Sequence, residues 1–78
     1  MQKYIIKCRG IKPLTLETSS TSTFTIAVEF FLSNPLLEQD QRYVIAFRCL
    51  KEVGLPELGE TRKFISGRHN LGNVTRTA

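Results

Sequence analysis

With 78 residues, 41% apolar and 23% charged, the chain is sized for one domain and too ordinary in composition for general disorder. So small a domain has no deep interior to spare for a substrate pocket, which counts against an enzyme, and self-association would relieve its shortage of core. The net charge of +4 is segregated, with the bases of residues 1–13 and 61–78 free of any acid and all seven acids between them, a placement that bears on partners rather than on fold.

No apolar run approaches the roughly 18 residues a bilayer span needs. Lys3 and Lys7 interrupt the first apolar stretch too early for a secretory leader, so a cytoplasmic chain without membrane contact is expected. Two cysteines are too few for a secreted disulfide framework, and Cys8 and Cys49 are expected reduced and buried.

Lys3 to Arg9 alternates, with Tyr4, Ile6 and Cys8 on one side and Lys3, Ile5, Lys7 and Arg9 on the other. That is the period of a strand with one buried and one wet, basic face. Gly10 and Pro13 interrupt it, and Leu14 to Glu17 resumes as a short second strand. The polar run Thr18 to Thr23 predicts a loop whose hydroxyls bond nearby backbone groups.

Phe24, Ile26, Val28 and Phe30 then recur at period two, which predicts a third strand over 23–31. A rival reading has Thr23 capping a helix in which Ala27, Val28, Phe31 and Leu32 line up. Asn34 and Pro35 read as the start of an amphipathic helix over 35–53. Its apolar stripe is Leu36, Leu37, Tyr43, Val44, Phe47 and Leu50, and Gly54 closes it with Pro56 just beyond. After a turn-rich connector, Thr61 to Ile65 predicts a last short strand. From Ser66 onward little remains to bury, and 66–78 reads as a flexible basic tail behind a single domain of 1–65.

Cys8, Cys49 and His69 stand too far apart in sequence for the paired spacing of a zinc site, so no metal and no cofactor is expected. His69 in a tail would be poorly held as a catalytic base, and the carboxylates form no shielded pair. No glycine spacing matches a phosphate-cradling loop. No catalytic residue is assigned.

The basic residues carry the outward-facing signal. Lys3, Lys7 and Arg9 share one strand face, Arg62 or Lys63 and Arg68 would extend it if the strand around Phe64 pairs beside the first, and with Lys12 these seven are the candidate binding residues. The fold expected is α+β: a three- or four-stranded, mainly antiparallel sheet with one amphipathic helix on one face. The expected role is a non-enzymatic binding protein engaging nucleic acid or a ribonucleoprotein through that basic face. The alternative is an adaptor or inhibitor that blocks a larger protein complex, as accessory proteins of phages and mobile elements do. Ile5, Phe31, Leu32, Ile45, Leu55 and Leu58, out of phase with the assigned faces, would then supply the contact, and the bases would meet an acidic protein surface or serve solubility alone.

Overall fold

A computed structural model describes residues 1–34 and 41–78. It is an α+β fold with strands β1 (Gln2–Cys8) and β2 (Leu14–Thr18), helices α1 (Thr23–Ser33) and α2 (Gln41–Val53), then strands β3 (Thr61–Ser66) and β4 (His69–Arg76). The strands form one open antiparallel sheet in the order β2-β1-β4-β3. The first and last strands of the chain are therefore the two inner strands, side by side.

β1 follows its sequence pattern. Tyr4, Ile6 and Cys8 are buried, whereas Lys3 and Lys7 are exposed. β2 adds Leu16 and Thr18 to the buried face. The Thr18 to Ser22 segment uses its hydroxyls as expected: Ser20 N–H donates to Thr18 Oγ1 and Ser22 N–H to Ser20 Oγ.

The third strand expected over 23–31 is instead helix α1. Ser22 is its N-cap, with Oγ accepting from Thr25 N–H at 3.4 Å and its carbonyl accepting from Ile26 N–H at 3.0 Å. The rival helical reading had the element right and the cap one residue late. Ile26, Ala27 and Phe30 form the buried stripe, a helical spacing that the period-two run of aromatic and branched residues conceals.

Asn34, expected to start the next helix, is the C-cap of α1, donating its N–H to Phe31 O. Positions 35–40 of the helix expected over 35–53 lie outside the described residues. From Gln41 the helix is present and ends before Gly54 as expected. Its buried residues are Tyr43, Ala46, Cys49 and Leu50, while Val44 turns outward, 42% exposed. Two helices thus stand where one was expected on the sheet.

The flexible tail expected over 66–78 is corrected as well, since 69–76 is strand β4 at the centre of the sheet. Ser66 pairs with His69 across a two-residue hairpin loop, Gly67-Arg68. Gly67 has φ +59° and, among the described residues, no non-glycine residue has positive φ, the pattern of a type II′ turn. The strand holds its place mainly through backbone pairing on both sides, with Val74 its fully buried anchor. Ile6, Ile26, Leu50, Phe64 and Val74 make the centre of the core between sheet and helices.

Candidate nucleic-acid interface

The helices cover one face of the sheet and leave the other open, so strand parity decides which bases face solvent together. Across the open face, Lys7 of β1 pairs with Asn73 of β4, which pairs with Lys63 of β3. The two lysines stand two strand spacings apart, about 10 Å between backbones, with an amide side chain between them. The neighbouring row is Thr15, Ile5, Thr75 and Thr61, in which the Thr61 and Thr75 hydroxyls bond each other at 2.7 Å. One lysine from each basic end thus stands on the same surface, although β3 does not pair beside β1 as expected, because β4 lies between them.

The other candidate bases divide. Lys3 is on the open face but lies 3.2 Å from the Glu17 carboxylate across β1 and β2, so its charge is already matched. Arg9 follows the end of β1, exposed, with its N–H donated to Leu71 O. Lys12 is exposed in the β1–β2 connection and Arg68 in the β3–β4 turn. Arg62 does not join the patch. It has helix-side parity opposite Val74, and its guanidinium bonds Glu60 Oε1 at 2.7 Å and the Val53 carbonyl at 2.8 Å. It ties β3 to the end of α2 and is a structural residue. The hydrogen bond from Arg62, and after it the one from the Glu57 N–H, holds the Glu60 carboxyl below its ordinary range.

The end of the sheet near Arg9 carries a feature the sequence did not announce. Between Phe64 and Ile65 the β3–β4 register slips, Phe64 facing Gly72 and Ile65 facing Asn70, so Leu71 is an extra residue on β4. Such a bulge bends the strand and re-aims its side chains. Asn70 Oδ1 accepts the Gly72 N–H at 3.1 Å, and Cys49 Sγ donates to the Ile65 carbonyl at 2.9 Å, so two polar groups at the irregularity find partners. His69, expected in a mobile tail, is the first residue of β4 and sits beside this bulge. His69, Asn70 and Asn73 were left out of the candidate surface by the sequence, and the structure places them on β4 beside it. The signal that could have exposed them was Gly67 at the first centre of a two-residue turn between strand-like runs.

Both cysteines are free and buried. Burial pushes the Cys8 thiol up to about 11, and the Cys49 thiol is raised by burial and by the nearby Glu52 charge. A thiol raised from 9.0 to about 11 yields roughly 100-fold less thiolate at pH 8. Iodoacetamide should therefore label Cys8 about 100-fold more slowly in the folded protein than in denaturant, read by peptide mass spectrometry. Equal rates in both states would contradict the burial. The folded thiol binds its proton more tightly than the unfolded one, so this contribution to stability is complete below pH 9 and is lost as pH rises toward 11.

Among the described residues no group of three or more His, Cys, Asp or Glu side chains gathers that could hold a metal ion. None of the described helices is long and apolar enough to cross a membrane. The exposed apolar residues lie mostly on the helical side. Leu32 is 68% and Phe24 51% exposed, and the Phe31 and Phe47 rings meet edge to face at 4.9 Å. Comparison with known proteins gives no significant match to this chain, whether to a family model, a curated sequence or a solved structure.

Proposed function

We propose that the chain is a small non-enzymatic binding protein that holds the sugar–phosphate backbone of nucleic acid, free or within a ribonucleoprotein, on the open face and bulged end of its sheet. The observation that carries this reading is the pairing of β1 with β4 and β4 with β3, which sets Lys7, Asn73 and Lys63 in one row on the uncovered face. Arg9 and Arg68 extend the positive charge toward the hairpin end. The acids among the described residues lie on β2, the helices and the connector, and the one on the open face, Glu17, is occupied by Lys3.

Lysine and arginine on a sheet face neutralise phosphates and release counterions, a sequence-independent attraction. The open-face rows contain isoleucine and threonine rather than aromatic rings, so base stacking contributes little and recognition is of backbone charge. Contacts from Lys7, Lys63, Arg9 and Arg68 would give a log–log salt slope of about −3 on single strands. Fluorescence anisotropy with labelled single- and double-stranded oligonucleotides should then show affinity falling roughly 60-fold between about 50 and 200 mM salt. No binding at the lower salt, or binding indifferent to salt, would overturn the reading.

A second reading, an adaptor or inhibitor seated on a larger protein, is favoured by the half-exposed Phe24, which packs edge to face on Phe47 with Lys51 over its ring at 5.3 Å. The same titration separates the two, because failure to bind any nucleic acid leaves the helical surface as the functional one.

A further inference from the structure

Among the described residues β3 is an end of the sheet, and its outer side offers a row of main-chain groups. Backbone directions alternate along an antiparallel strand. Glu60 O accepts the Arg76 N–H at 3.1 Å, so Glu60, Arg62 and Phe64 turn their N–H and C=O toward β4. Thr61, Lys63 and Ile65 therefore turn theirs away from it. The Ile65 carbonyl agrees with this phase, since it accepts from the Cys49 thiol of α2 at 2.9 Å. Main-chain groups turned outward at a sheet edge are a template for one more strand. The two edges of the sheet also differ in charge. β3 sets exposed Lys63 on the open face, with Ile65, 52% exposed, two residues further on. β2, the other edge, carries Glu17, and Glu29 of α1 lines the same groove.

We propose that β3 binds an extended acidic segment of another protein, which joins the sheet as a fifth, antiparallel strand. Main-chain bonds to Thr61 and Lys63 attach it, a carboxylate opposite Lys63 matches the charge, and an apolar side chain opposite Ile65 covers that residue. Charge selects this occupant over a second copy of the chain. Pairing β3 with itself would bring the Lys63 side chains of two copies onto one short ladder, and like charges across strands are destabilising. The same rule turns an acidic strand away from the β2 edge. The attachment stands without the nucleic-acid reading, although Lys63 belongs to both surfaces and an acidic strand bound there would occupy one cation of the lysine row.

The probes are a capped octapeptide of threonine and valine with one central glutamate, and its twin with lysine in place of the glutamate. Amide hydrogen exchange read by NMR should find the Thr61 and Lys63 N–H groups exchanging fast in the free protein. With the glutamate peptide at roughly ten times its Kd, both should exchange about tenfold more slowly. The lysine twin should bind about fivefold more weakly, and Lys63→Glu, at an exposed position, should reverse that order. Exchange unchanged at millimolar peptide would overturn the proposal, as would equal binding of the two peptides. Protection of Lys63 that grows with protein concentration alone would overturn it too, and would assign the edge to a second copy. If oligonucleotides bound with steep salt dependence while neither peptide did, the open-face reading would stand and the strand proposal would fall. If the glutamate peptide bound and no oligonucleotide did, the strand proposal would stand and the open-face reading would fall.

Discussion

Gly72→Ala should lower the melting temperature on the order of 12–24 °C, the shift expected for about 3 kcal/mol in a domain this small. A β-carbon at Gly72 would sit 2.0 Å from the Lys7 carbonyl oxygen and 2.9 Å from Cys8 Cα. Both are backbone atoms of the neighbouring inner strand, so no side-chain rotation can make room. β4 would have to part from β1, and with it go the pairs that hold the sheet together. The residue's φ of +157°, which L side chains rarely adopt, adds strain of its own. Gly10→Ala is the matched control: φ is also positive, at +83°, but nothing lies within 4 Å of the added carbon. It should cost only about 1 kcal/mol. Thermal unfolding followed by circular dichroism reads both, and a Gly72→Ala protein melting beside the control would contradict the close approach of the strands.

Lys7→Gln with Lys63→Gln should remove most nucleic-acid affinity, roughly 10- to 100-fold at low salt, and make the salt slope shallower by about 1.4 on single strands. The two lysines come from opposite ends of the chain and meet only through Asn73. Glutamine keeps most of their length and stays polar, so a loss measures charge rather than fold. Lys51→Gln, on α2 against the Phe24 ring, is the comparison on the helical side and should leave binding unchanged. Lys3→Gln should have a small effect, since Glu17 already matches its charge. Anisotropy titrations of these variants across salt decide the matter, and a Lys51→Gln loss equal to that of the double variant would show that overall charge is being read.

What the sequence disclosed follows from where each element sits. β1 shows its two faces as clean alternation because one is buried and the other is open to water. α2 is legible beyond Gln41 because its apolar residues recur at helical spacing and Gly54 ends it. The run Phe24, Ile26, Val28, Phe30 was read as a strand because residues this apolar satisfy period two while also placing Ile26, Ala27 and Phe30 on one helix side. What settles the competition lies outside the run: a serine cap at Ser22, and inner sheet positions already taken by β1 and β4. β4 was invisible for the opposite reason. Its inward side is Gly72 and Val74 and its outward side Asn73 and Thr75, so it carries almost no hydrophobic signal although it lies at the centre of the sheet. The candidate surface shared that fate. Lys7 could be placed on a face from sequence, but its alignment with Lys63, and the diversion of Arg62 to the helical side, depend on a register that passes through β4.

That the two inner strands are the first and last of the chain also shapes how the protein folds. Each edge strand can join its inner neighbour early, since β1 with β2 and β3 with β4 are close in sequence. The seam between the halves, Tyr4 with Arg76 through Cys8 with Gly72, brings together residues from opposite ends of the sequence. Loop-closure entropy must be met there before the core between sheet and helices is sealed, and contacts of such long range slow folding. The lysine row, Lys7 with Asn73 and Lys63, is therefore set in place only when that seam closes.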